Sequence, residues 1–278
     1  MSPEIRWLCE TTAEGQTLFR IGRDGSEWIA EFAGVGTLRA SPGGTSSVFE
    51  PMGGANPDQV AKVRHGLSTG LLRHLQGKLT LHASSASKGG RAIVCAGNSG
   101  SGKSTTIAEL CGRPGWSLLS DDVALVDSTG TVPEIAPAEG LHWLLHDSRA
   151  QLGIPAEGAT VRSVIDTRSK GPIAPARVAD QPARCAAICS LVFDDGASGP
   201  TLRRLHGSDA ASRLVVSCIR FALDDAAAHQ RELDQVIAVL ERVPVYELRR
   251  PHRLNQLRAA GDLLELLAGD VATSAEAP

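Results

Sequence analysis

The 278-residue chain is 42% hydrophobic and 21% charged, and 28 Lys and Arg against 31 Asp and Glu leave a formal charge of -3. That balance argues against a protein whose main surface coats nucleic acid, which needs a strong basic face, and the length supports one large domain or two modest ones with a substantial core. No stretch approaches the roughly 18 consecutive apolar residues of a membrane-spanning helix, and Met1–Glu10 lacks the basic-then-apolar layout of a secretory signal, so a cytoplasmic protein without membrane contact is expected.

In chain order, Thr17–Ile21 and Glu27–Phe32 alternate apolar and polar residues between Gly-containing turns, which predicts a small antiparallel sheet over residues 1–50. After a Gly/Pro/Ser-rich interval from Ser41 to Pro57, apolar residues recur at Val60, Val63, Leu67, Leu71 and Leu75, one face of a helix that Pro57 opens and Gly77 ends. Leu79–Ser84 and Arg91–Ala96 read as strands, a glycine-rich loop follows, and a helix starts near Lys103. Further strands are expected at Trp116–Leu119, Val123–Val126, Ala186–Phe193 and Val245–Leu248. Helices are expected near 208–223 and 229–241 and along Leu254, Leu257, Leu264 and Leu267, while residues 133–182 are interrupted by Pro and Gly. The mixture predicts an α/β fold with a β-rich N-terminal subdomain over 1–56, a main domain over 57–269 and a frayed, disordered tail over 270–278. The six cysteines form no C-x-x-C pair and sit in apolar segments, so they read as small core residues.

The segment Gly97-Asn98-Ser99-Gly100-Ser101-Gly102-Lys103-Ser104 fits G-x-x-x-x-G-K-[ST] at every fixed position, with Thr105 following. Phosphate oxygens need converging backbone N–H groups; glycines let the chain curl closely enough to supply them, and the next helix adds its positive end. Lys103 then reaches the terminal phosphates, and the Ser104 hydroxyl suits Mg²⁺. The flanks supply the required setting, an apolar strand at Arg91–Ala96 before the loop and a helical stretch from Thr105 after it.

Downstream, Ser117–Ser120 delivers the tandem Asp121 and Asp122. A carboxylate at the end of a strand beside such a loop is where a nucleotide enzyme holds its metal, and a second carboxylate can accept a proton from an attacking hydroxyl. The pairs Asp194-Asp195 and Asp224-Asp225 lack that neighbour and read as solvated turns. His82, in Leu81-His82-Ala83-Ser84, is a lone histidine among small and apolar residues, a setting that by itself favours a structural role. His142 and His146 are spaced i, i+4 without a third ligand, so no metal site is expected there.

Taken together, Leu81–Ser84, Gly97–Ser104 and Leu119–Asp122 resemble the HPr kinase/phosphorylase family, serine kinases of the phosphocarrier protein HPr, and more closely its shorter relatives in bacterial gene clusters, some of which phosphorylate ribosomally made peptides including lasso-peptide precursors. The resemblance spans about residues 58–267, is strongest over 75–127, and implies a P-loop kinase core related to ATP-dependent phosphoenolpyruvate carboxykinase. It implies ATP and Mg²⁺ as cofactors and a peptide or small-protein serine as acceptor. Lys103 would hold the β- and γ-phosphates, Ser104 and Asp122 the magnesium, and Asp121 would be the general base assisted by His82, the two Asp roles being exchangeable. Arg168 and Lys170 lie where relatives carry basic residues near the acceptor phosphate, although Arg168-Ser169-Lys170-Gly171 departs from the usual pattern there. Full-length relatives form hexamers, so a homo-oligomer is compatible with the resemblance. The larger N-terminal domain of those proteins has no counterpart here, which weakens HPr itself as substrate. Two other readings of the residues stay open, a small-molecule kinase and a nucleotide-gated assembly ATPase.

Overall fold

The computed structural model describes residues 5–155, 160–162, 168–219, 221 and 226–269; the Asp224-Asp225 pair and the 270–278 tail lie outside the described residues. Five strands, β1 (Arg6–Ala13), β2 (Gln16–Asp24), β3 (Glu27–Phe32), β4 (Gly36–Ala40) and β5 (Ser47–Pro51), pair antiparallel in chain order. Register puts Phe19 opposite Phe32, Ile21 opposite Ala30 and Trp28 opposite Ala40, so one face of the sheet is continuously apolar.

That face is closed by α1 (Pro57–Val63), a π-helical turn at Arg64–Ser68 and α2 (Thr69–Leu75), with Val63 and Leu71 buried in the shared core. The Asn56 side chain caps α1, accepting from Asp58 N at 2.9 Å and Gln59 N at 3.2 Å. The π turn explains the apolar spacing. Three successive steps of four residues would carry the stripe about 40° further round a regular helix at each step, and one wider turn returns it to the core.

The remaining elements are β6 (Leu79–Leu81), β7 (Ala83–Lys88), β8 (Arg91–Ala96), α3 (Lys103–Cys111), β9 (Ser117–Ser120), β10 (Ala124–Asp127), β11 (Glu134–Ala136), β12 (His142–Leu144), α4 (His146–Gln151), β13 (Val161–Arg162), β14 (Ser169–Ile173), β15 (Ala183–Phe193), β16 (Thr201–Leu205), α5 (Gly207–Ser217), α6 (Ala226–Leu240), β17 (Val245–Arg250) and α7 (Leu257–Gly269). A mixed sheet runs β6-β10-β11-β15-β8-β7-β9, with β17 beside β15 and β16 beside β17. Both faces of its centre are buried: Ala92, Val94 and Ala96 of β8 pack toward Leu214 of α5 and Val236 and Val239 of α6, while Ile93 and Cys95 pack toward Ile107 and Leu110 of α3 and Leu264 of α7. This two-sided burial is why β8 is an unbroken apolar run and not an alternating one. All six cysteines are free thiols, five of them buried.

Two expected elements differ. The strand predicted over Leu79–Ser84 is two strands interrupted at His82, since β6 pairs with β10 while β7 pairs with β8 and β9. The helix predicted to reach 223 stops at Ser217 because the chain turns to bridge β6, with Cys218 opposite Leu81 and Ile219 N donating to Thr80 O at 2.9 Å. Among the described residues no helix is long and apolar enough to cross a membrane.

Candidate active site

Strand directions bring the motif residues to one end of the sheet. Ala83, at the start of β7, is opposite Ala96, at the end of β8, and β9 runs antiparallel to β7 with Ser120 opposite Ser85. His82, the Gly97–Ser104 loop and Asp121-Asp122 therefore emerge side by side. The parallel strands β15 and β17 end at Phe193 and Arg250 on the other side of β8, outside the carboxyl ends where open α/β sheets place ligands. One cavity is lined by His82, Gly100, Gly102, Lys103, Ser104 and Asp122 together with Arg168 and Lys170.

The loop curls over that cavity. Gly102 has φ +88°, and a Cβ there would collide with Arg250 Nη2; Gly100, also at φ +88°, would bring a Cβ to 2.6 Å from Arg168 Nη1. Both positions favour glycine for their left-handed backbone conformation. Lys103 Nζ donates to Gly97 O at 2.9 Å and Asn98 O at 3.1 Å, and lies 3.1 Å from His82 Nε2. Burial, opposed in part by the Asp122 charge, lowers the Lys103 ammonium to about 8.

His82 is fixed between two partners. Burial first and the Lys103 cation second push its imidazole down to about 4, so it is neutral near pH 7. With Nε2 facing the Lys103 ammonium, the proton sits on Nδ1, which donates to Asp122 O at 3.2 Å.

The two aspartates face different ways, as consecutive residues leaving a strand do. Asp121 is fully buried and turned away from the cavity; its Oδ2 accepts from Trp143 N at 2.6 Å and its Oδ1 from Ser84 Oγ at 3.1 Å. Asp122 lines the cavity, paired with Lys62 of α1 and with Lys170 Nζ 4.0 Å from its Oδ1. Burial alone would raise Asp122, but Lys62 and Lys170 overcome it and hold the carboxyl well below the usual range. Arg168 Nη2 donates to Ser99 Oγ at 2.5 Å, so Arg168 and Lys170, beside each other on the β14 side, converge on the loop and on Asp122 respectively.

Lys62, Ser148 and Glu139 at this end of the sheet carried no sequence signal. Lys62 lies 60 residues from its partner Asp122 and also faces the Trp143 ring at 4.6 Å. Thr105 Oγ1 bonds Ser148 Oγ at 2.9 Å, anchoring α3 to α4. Glu139 is buried; burial, then the charges of Asp122 and Asp121, raise it well above the usual range.

Among the described residues no three His, Cys, Asp or Glu side chains gather into a metal cage. Nucleotide-bound Mg²⁺ needs none, since it retains waters, takes phosphate oxygens and uses one or two protein oxygens. The Ser104 hydroxyl and the Asp122 carboxylate, lining the same cavity, fit that requirement.

No family model matches the chain, and no curated protein matches it. Among solved structures it is similar to the Hpr(Ser) kinase/phosphatase from Coxiella burnetii, at 14% identity and a TM-score of 0.34, over 67% of this chain and 97% of that one. The likeness is a distant structural relationship.

Proposed function

We propose that this protein is an ATP-dependent kinase that transfers the γ-phosphate to a hydroxyl, serine of a peptide or small protein being the acceptor. The observation that carries the reading is the convergence of Lys103, neutral His82 and anionic Asp122 on one cavity beneath a loop of glycines. Backbone N–H groups of Gly100–Ser104 and the Lys103 ammonium are donors for the triphosphate, and the N-terminal end of α3 adds favourable potential. Ser104 and Asp122 are the residues that would hold Mg²⁺, which when bound neutralises charge on the β- and γ-phosphate oxygens.

Because the Asp122 carboxylate faces the cavity and that of Asp121 does not, Asp122 is assigned both roles, one oxygen for the metal and the other for the proton of the acceptor hydroxyl. Lys62 makes it a weak base. Phosphoryl transfer through a loose transition state asks for position more than basicity, so the cost is small. His82 is a positioning residue, holding Lys103 on one nitrogen and the Asp122 peptide on the other. Asp121 ties the acidic turn to β12 through Trp143 N. Arg168 and Lys170 supply cationic charge where the acceptor phosphate forms.

The test follows the γ-phosphate. Incubation with γ-labelled ATP, Mg²⁺ and serine-containing peptides is expected to place label on a peptide, with Lys103→Ala inactive. Label on a small alcohol would redirect the acceptor class, and label appearing only as free phosphate would replace the kinase with a nucleotide-driven switch.

A further inference from the structure

Across β8 from the acid pair, the cavity ends in a wall that phosphoryl transfer does not use. β15 and β17 are parallel and in register with Phe193 opposite Arg250, so both strands end at the same level. His252 follows, and its ring lies 4.1 Å from that of Phe193, centroid to centroid, at 42°. The Arg250 guanidinium carbon lies 4.7 Å from the Phe193 centroid. Two ties hold the connecting turns: Asp194 N donates to Arg250 O at 2.9 Å, and His252 N donates to Asp195 Oδ1 at 3.0 Å. Phe193, Arg250, His252 and Leu254 line the same cavity as Lys103.

Burial sharpens the picture. Arg250 is 1% exposed, its Nε has no partner, and its Nη1 reaches only Pro251 O at 3.4 Å. A buried guanidinium with an unsatisfied donor beside Gly102 favours a nearby anion. His252 by contrast is exposed and Phe193 half-buried, which leaves an aromatic surface at the cavity mouth.

Position decides what that surface meets. β8 and its loop separate β7 and β9, at whose ends His82 and the acid pair lie, from β15 and β17, at whose ends the rings lie. Phe193 and His252 line the same cavity as the loop and Asp122, across β8 from the acid pair, where the far end of a polyphosphate reacting at Asp122 would lie. We propose that these two rings seat the planar base of a nucleoside triphosphate, with Arg250 packed against Phe193. The inference rests on the kinase reading of the cavity and adds the subsite that separates a nucleotide from bare polyphosphate. Stacking suits this place, since every base presents a π-face.

Calorimetry on the full chain with Mg²⁺ tests it, using ATP and inorganic tripolyphosphate as probes. Wild type is expected to bind ATP more tightly than tripolyphosphate. His252→Ala and Phe193→Leu should each weaken ATP by about tenfold, the scale of one stacked base, and leave tripolyphosphate unchanged. His252 is exposed, so its variant should fold normally, and Phe193→Leu keeps an apolar contact for Arg250. ATP affinity equal to wild type in both variants overturns the subsite while leaving the phosphate loop intact. Equal losses of both probes also overturn it, because the rings would then be shaping the loop. Wild type that binds neither probe removes the kinase reading and the subsite with it.

Discussion

Asp121 and Asp122 show how a single peptide unit separates structure from chemistry. Asp121 accepts from Trp143 N and Ser84 Oγ in a fully buried setting. Asp121→Asn replaces one acceptor with a donor, and the variant should lose about 1–3 kcal/mol of stability, read by urea denaturation. Asp122→Asn should lower phosphoryl transfer by about 100-fold or more while folded protein still binds ATP, read by label transfer alongside calorimetry. If the transfer defect instead followed Asp121→Asn on folded protein, the assignment of the proton to Asp122 would be wrong. The sequence marked both residues, because tandem carboxylates after a strand beside G-x-x-x-x-G-K-S are a local pattern. Which of them faces the loop depends on pairing between β7 and β9 and on contact with β12, and neither leaves a local trace.

At the scale of elements, α3 carries Lys103 and is held from behind by α7. Glu265 of α7 accepts from Lys88 at 2.5 Å and from Arg113 at 2.9 Å, and Arg113 also pairs with Glu109 of α3 at 3.0 Å. The hydrogen bond from Lys88, then that from Arg113, lowers the Glu265 carboxyl to about 2 from its ordinary 4.5. A depressed folded-state value means stabilisation that is complete above 4.5 and lost as pH falls through about 2. The groups are partly exposed, so each pair contributes only about 0.2–1 kcal/mol. Glu265→Gln should therefore be less stable than wild type near neutral pH, and the gap should close as pH falls from 4.5 to about 2; a gap that stays constant across that range would contradict the assignment. Periodicity revealed α3, α7 and the long helix after Pro57, but not the π turn within that helix or the break at His82. Both come from packing: the first from keeping an apolar stripe against the N-terminal sheet, the second from a chain that changes strand partners.

At the scale of the whole molecule, the N-terminal sheet is connected to the chemistry through α1. Its apolar face shares a core with Val63 of α1 and Leu71 of α2, and α1 delivers Lys62 to Asp122. Leu71 is 1% exposed, so Leu71→Ala should cost about 2–5 kcal/mol and lower transfer as the hold on Lys62 loosens. Thermal denaturation alongside label transfer reads both, and unchanged transfer with reduced stability would uncouple the sheet from the site. Sequence order conveyed the α/β class and the loop, since those signals are short in range. It did not convey Phe193, Arg250 or His252 as neighbours of the loop, because the parallel register of β8, β15 and β17 brings distant segments to one edge, nor Lys62 as the partner of Asp122, 60 residues away. The most direct test of the central claim is hydrogen–deuterium exchange of the whole chain with and without ATP and Mg²⁺. Slower exchange over Gly97–Thr105, with a smaller effect around Asp122, is the predicted result. Unchanged exchange across those segments at saturating nucleotide would contradict it.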